Sequence, residues 1–169
     1  MKFTLERNTL LKEISIAQEI ISVKNAMSIL SNVLLDAKDG FLTIKATDSK
    51  VTFETKLPAR IAEDGVTTIF CEKLLGVLRS LPDREIEFEL KNGKLYIKPV
   101  GTTIDFQLKS ISSDKFPEPN VPEDLDWFEL PQADVLEMIN QTIFSVSDDE
   151  TRFFMNGVYF EKKGDKVVM

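Results

Sequence analysis

The sequence predicts an α+β fold, with antiparallel sheet on one side and a small number of helices gathered on the other. Three observations predict it. Short runs alternate apolar and polar residues around tight-turn signals, Lys38-Asp39-Gly40 and Asn92-Gly93. Two stretches, one from Leu10 and one from Leu74, carry apolar residues at helical spacing instead. The order strand, helix, three strands then occurs twice between residue 1 and about residue 110.

Met1 to Leu5 reads as a short strand. Asn8 or Thr9 is placed to cap a helix whose stripe is Leu10, Leu11, Ile14, Ala17 and Ile21. Lys24 follows in V-K-N-A-M, and Ile29 to Ala37 returns to a strand pattern. Leu42/Ile44/Ala46 and Val51/Phe53/Thr55/Leu57 alternate on either side of Thr47-Asp48-Ser49. The plan restarts at Val66 to Phe70. A helix from Cys71 to Leu81 follows, with Leu74, Leu75, Leu78 and Leu81 on one side and Pro82 to end it. Ile86/Phe88/Leu90, Leu95/Ile97 and Ile104/Phe106/Leu108 supply three more strands.

From Asp114 to Asp126 the character changes, with Pro117, Pro119 and Pro122 among acidic residues. Such a stretch holds no helix and marks a domain boundary. Beyond it the chain begins its own opening again. Subtracting 125 lays Phe128-Glu129-Leu130 on Phe3-Thr4-Leu5, Val135-Leu136 on Leu10-Leu11, and Phe154–Phe160 on Ile29–Leu35, without a gap to Met169. Only seven of 43 aligned positions are identical, so the apolar pattern carries the repeat. Pro131 stands where a helix begins, with Val135, Leu136, Ile139 and Ile143 as its stripe. Ser147 to Phe160 reads as an acidic turn leading into a strand interrupted at Asn156-Gly157. Residues 1–120 are expected to form a complete domain, 121–127 a proline-rich linker, and 128–169 the first half of a second domain. On this view the chain is a fragment of a longer protein, and its half domain exposes an apolar face.

Composition narrows the chemistry. Apolar residues are 43% and charged residues 29% of the 169, ordinary values for a soluble globular protein. The net charge of −7 argues against nucleic-acid affinity from overall charge, and leaves room for a local basic face. With no histidine, His-based triads and the usual zinc sites are excluded. One cysteine, Cys71, has no internal disulfide partner, so a cytoplasmic location is expected. The opening residues lack the long apolar run of a signal peptide or membrane span. No cofactor or metal is expected.

Six blocks in order carry a family resemblance: M-K-F-T-L-E-R, I-L-S-N-V-L-L, K-A-T-D-S, L-R-S-L-P-D, D-K-F-P-E and F-S-V-S-D-D-E-T-R-F-F-M-N-G-V. Together they resemble the bacterial DNA polymerase III beta subunits, the sliding clamps, over the whole chain. The resemblance implies a DNA-clamp fold, with antiparallel sheets outside and two helices per domain on the inner face. It implies a head-to-tail homodimeric ring that encircles double-stranded DNA as a processivity factor, with the replicative polymerase and the clamp loader as partners and no enzymatic activity. Such a ring must slide, so its contacts are expected to be phosphate-directed and sequence-independent.

On this sequence the resemblance places DNA contacts at Lys24 and Arg152. It also places one at Asp149, where the family commonly has a neutral polar residue and a carboxylate would repel phosphate. Arg7, Lys12 and Arg79 on the inward helices would add positive charge, diluted by Glu13, Glu19 and Glu72. Phe106 and Lys73 correspond to the dimer interface; the arginines that often flank that strand are here Thr103 and Asp105. Met155 corresponds to one wall of a pocket for partner motifs. Each position also has an ordinary structural explanation: a solvated loop lysine at Lys24, an ion pair of Arg152 with Asp148 or Glu150, core packing for Phe106, a buried strand methionine at Met155. Two other function classes remain on the sequence: a protein-interaction module without DNA binding, and a hydrolase holding a metal on Asp148, Asp149 and Glu150. Consecutive carboxylates rarely converge on one ion, which weighs against the second.

Overall fold

The structure, a computed structural model, describes residues 1–21, 28–118 and 127–169. The chain divides into two compact units, Met1–Asn120 and Val121–Met169.

In the first unit β1 (Lys2–Glu6) runs directly into α1 (Arg7–Ile20). A 3-10 turn at Ser28–Ser31 leads to β2 (Asn32–Lys38), β3 (Phe41–Thr47) and β4 (Thr52–Pro58), with β5 (Arg60–Glu63) just beyond. The second half follows the same plan: β6 (Gly65–Phe70) into α2 (Cys71–Ser80), then β7 (Glu85–Lys91), β8 (Lys94–Pro99) and β9 (Phe106–Ile111). The two hairpin tips are alike, as their sequences predict. Asp39 and Gly40 have φ of 52° and 79°, and Asn92 and Gly93 have 50° and 70°, the left-handed pair that a two-residue turn requires.

The nine strands are ordered β4-β3-β2-β6-β9-β8-β7-β1-β5. Each half lends its first strand to the other: β1 ladders onto β7 and β6 onto β2, both antiparallel. β9 crosses between the halves, pairing with β8 over Phe106–Lys109 and with β6 only at Ser110 and Ile111. β4 and β5 make the equivalent crossing, β4 on β3 and β5 on β1, broken only at Ala59. An approximate two-fold therefore relates the halves, and neither half completes a sheet without the other.

The core lies between this sheet and the two helices. Leu10, Ile14 and Ala17 of α1 and Leu74 and Leu78 of α2 are fully buried against Leu35, Ile44, Ile86 and Ile97. Phe3 and Phe88, facing each other across the β1–β7 ladder, stack with centroids 4.7 Å apart. The helices run antiparallel: the Arg7 side chain at the start of α1 donates to the Leu81 carbonyl just past α2 at 2.8 Å. One expectation needs correcting here. Neither Asn8 nor Thr9 caps α1, whose N-cap is Glu6 without a side-chain bond. The helix instead starts straight from β1, and the Arg7 N–H finds the Arg84 carbonyl at 3.1 Å, so a neighbouring loop satisfies the helix end.

On the opposite face of β2, Leu34 packs with Ile29, Leu30 and Phe116. Lys45, across from Leu34 on β3, pairs with Glu54 at 3.4 Å and Glu118 at 3.3 Å. The chain approaching the linker is thus held to the outer side of the sheet. The linker expected at 121–127 falls outside the described residues except for Trp127.

The second unit contains α3 (Gln132–Thr142), 3-10 turns at Ile143–Ser145 and Glu150–Met155, and a hairpin of β10 (Glu161–Lys163) and β11 (Lys166–Val168). The 125-residue offset holds in the backbone. Glu161↔Val168, Lys162↔Val167 and Lys163↔Lys166 fall on Asp36↔Thr43, Ala37↔Leu42 and Lys38↔Phe41. The expected strands at 127–130 and 154–160 do not form: the first is irregular and the second is turn as far as Gly157. The first unit supplies the reason. There β1 is laddered onto β7 and β5, and β2 onto β6, mostly strands of the other half. Among the described residues no such partner strands accompany the second unit.

Candidate nucleic-acid interface

Charged residues on the helices sort by their place in the helical turn. Leu10, Ile14 and Ala17 point to the core, which leaves Lys12 and Glu19 of α1 on the solvent face; α2 likewise exposes Glu72, Lys73 and Arg79. Lys12 and Arg79 are open to a polyanion. Arg7 is committed elsewhere. Its half-buried guanidinium donates to the Leu81 carbonyl and to Asn8 Oδ1 at 2.7 Å, bracing the start of α1 against the end of α2. A guanidinium tied to a carbonyl in this way serves the joint between the halves before it serves a phosphate. Lys24 lies outside the described residues.

In the second unit the acidic turn is a closed local structure. Asp149 accepts from the Thr151 N–H at 3.0 Å and the Thr151 hydroxyl at 2.6 Å. These two donors, the hydroxyl first, hold its carboxyl below the usual carboxylate range. The Ser147 N–H reaches the Met155 carbonyl at 2.9 Å across the mouth of the turn. Asn156 fills the middle: with its NH2 turned inward it donates to the carbonyls of Ser147, Asp149 and Arg152 at 3.0–3.1 Å. Asn156 is not among the candidate site residues from sequence, where Asn156-Gly157 reads only as the interruption of a strand. Arg152 stands out from this loop with φ −111° and ψ 55°, 64% exposed, its Nε 3.6 Å from Asp149 Oδ2. The sequence points to Asp148 or Glu150 as the partner of Arg152; the ion pair present is with Asp149 instead. An exposed pair of this length is weak, so Arg152 can trade it for a phosphate. Met155 is exposed, not a buried strand methionine.

Lys73 lines one feature, and Phe106 does not. Where β9 leaves β6, an apolar-walled cleft of about 480 Å³ opens between Ile69, Phe70, Lys73, Leu108 and Ile111. Phe106 and Leu108 are only partly buried, packed against the core from its margin. In the strand order β9 lies between β6 and β8, yet Phe106–Lys109 pairs with β8 alone, leaving one side of that segment unladdered. The strand is interior by order and open along half its length.

An antiparallel domain of two interlocked halves, with paired helices on one face, defines the class of clamp domains. Residues 1–122 match the N-terminal domain of the DNA polymerase III beta subunit, and residues 129–169 match its central domain. The chain belongs to the DNA polymerase III beta subunit family. It is 47% identical over 161 residues to the beta sliding clamp of Treponema pallidum, covering 95% of this chain and 43% of that protein. A sliding clamp of Pseudomonas aeruginosa, solved bound to griselimycin, superposes with TM-score 0.89 at 27% identity, covering 97% of this chain and 44% of that one. The Helicobacter pylori beta clamp, solved bound to a DNA ligase peptide, matches at 30% identity and TM-score 0.67, covering 73% and 34%. The chain therefore spans less than half the length of these relatives.

Proposed function

We propose that this chain contributes the first domain, and the opening of the second, to a ring-shaped sliding clamp that encircles duplex DNA and tethers the replicative polymerase. The observation that carries the proposal is the two-fold construction of residues 1–120, which sets α1 and α2 side by side with Lys12 and Arg79 outward. Such a surface attracts phosphate weakly and reads no base, which sliding requires. A net charge of −7 is compatible with this role, because a closed ring keeps its DNA by topology and not by affinity. Ring closure as a homodimer would use Phe106 on the unladdered side of β9 and the cleft beside Leu108, with Lys73 as the charged contact. Arg152 and Lys24 would add phosphate contacts, and Met155, already exposed, would join a pocket for partner peptides such as those of the polymerase and clamp loader. The role is non-enzymatic and cytoplasmic.

Residues 1–169 grafted in place of the matching segment of a relative's beta clamp provide the test. Loaded onto a nicked circle, the chimera should stay bound for many times longer than on the same DNA after linearisation. Equal retention on both would favour the protein-interaction module without DNA encirclement.

A further inference from the structure

Arg152 is the residue at which the 3-10 segment Glu150–Met155 kinks. Both of its backbone groups are engaged. Its N–H donates to the Asp149 carbonyl at 3.0 Å, and its carbonyl accepts from the Asn156 side-chain amide at 3.1 Å. The same amide reaches the carbonyls of Ser147 at 3.0 Å and Asp149 at 3.1 Å, so it joins the two arms of the loop across their middle. The peptide groups on both sides of the Arg152 Cα are thereby held. Only its side-chain torsions are left to settle, and its guanidinium stands outward.

Every partner in this arrangement lies between Ser147 and Asn156, so the loop closes on its own residues. The turn also belongs to the plan of the fold. Offset by 125, Phe153–Asn156 falls on the 3-10 turn Ser28–Ser31 that precedes β2 in the first unit. By sequence the same offset sets Met27 against Arg152 and Ser31 against Asn156, so the first copy lacks the arginine and the amide together. A serine hydroxyl has one hydrogen to donate, whereas an amide NH2 has two on one atom, which suits a point where three carbonyls converge. Without that donor the carbonyls lose their shared partner, and the loop is free to turn the Arg152 peptide groups toward water.

We propose that Asn156 is a positioning residue for the phosphate contact of Arg152, a proposal that rests on the reading of Arg152 as such a contact. By closing the loop around its amide, Asn156 orients the Arg152 backbone before DNA arrives, so less freedom is lost when the guanidinium meets a phosphate. The guanidinium has only its weak, exposed pair with Asp149 to give up.

Binding of the clamp chimera carrying residues 1–169 to a short linear duplex, followed over a range of salt, tests this. Arg152→Ala should lower the slope of log affinity against log salt by about one, as for one lost phosphate contact. Asn156→Ala should produce most of the same reduction. Added to Arg152→Ala it should produce no further loss, because an amide that acts through Arg152 then has nothing to orient. Asn156→Leu, close in size but without the donor, should behave as Asn156→Ala does. If Arg152→Ala leaves the slope unchanged, the reading of Arg152 as a phosphate contact fails and the proposal falls with it. If Arg152→Ala acts and Asn156→Ala does not, the contact stands and the proposal alone is overturned. A further loss in the Arg152→Ala background would mark Asn156 as a support of the fold at large, and full affinity in Asn156→Leu would show that its donor is not needed; either overturns the proposal.

Discussion

Asp48 closes the turn between β3 and β4 by accepting from the Lys50 N–H at 2.8 Å and the Val51 N–H at 2.7 Å. These bonds, the Val51 one first, hold its carboxyl below the usual carboxylate range. A depressed folded-state pKa stabilises the folded turn above the ordinary carboxylate range, and that contribution disappears as pH falls through the depressed value. Carboxyl-detected NMR should place Asp48 and Asp149 below the usual carboxylate range, and Asp48→Asn should flatten the acid limb of the stability curve; ordinary titration of both would contradict this. Cys71 behaves oppositely. Buried beneath α1, with Sγ 3.9 Å from the Ile14 carbonyl, its thiol is pushed up to about 12 by burial. It should resist a thiol reagent at pH 8 in the native protein and react on unfolding. The residue scale is also where sequence was least informative. Arg7 looks like a free helix cation until the Leu81 carbonyl is seen to claim it, and Asn156 looks like a break in a strand until three carbonyls surround its amide.

At the scale of elements, what is local was legible. Both type I′ hairpins, the stripes of α1, α2 and α3, and the stop at Pro82 follow from side chains within a few residues of one another. What depends on distant partners was not. The exchange of β1 and β6 between halves leaves no short-range trace, since alternation gives a strand its buried face without naming its neighbour. The missing strands of the second unit are the same point in reverse: Phe154–Phe160 has the composition of β2, but among the described residues no counterpart of β6 pairs with it, and propensity alone does not hold it extended. Helix packing gives a direct test. Leu78→Ala opens space in the fully buried α2 face and should cost about 2–5 kcal/mol, whereas Leu136→Ala on uncovered α3 should cost the monomer far less. Chemical denaturation of the two variants checks it, and equal losses would mean that α3 is covered after all. Phe116→Ala should loosen the segment against β2, read as faster hydrogen exchange at Leu34 and Lys45 without a comparable change at Phe88.

For the whole molecule, one device is used repeatedly: a strand-helix-sheet half that needs a second half to be complete. Within residues 1–120 the second half is present, and the product is a domain with two exposed faces of different character. The helical face exposes Lys12, Lys73 and Arg79 among Glu19 and Glu72. The sheet keeps Lys45, Glu54 and Glu118 tied to one another and offers β9 as an open seam. The six sequence blocks reached the family, and the 125-residue offset reached the second domain, without locating either seam or cleft. The proposed clamp role predicts that holding DNA and attracting it can be uncoupled. The most direct measurement takes the clamp chimera carrying Lys12→Ala and Arg79→Ala and compares its lifetime on nicked circles with its lifetime on linearised DNA, over a range of salt. Long retention on circles should survive both substitutions, while the salt dependence of initial association weakens by up to about one power of salt concentration per lost cation. If the substitutions release the chimera from circles as fast as linearisation does, the protein holds DNA by affinity and the account is wrong.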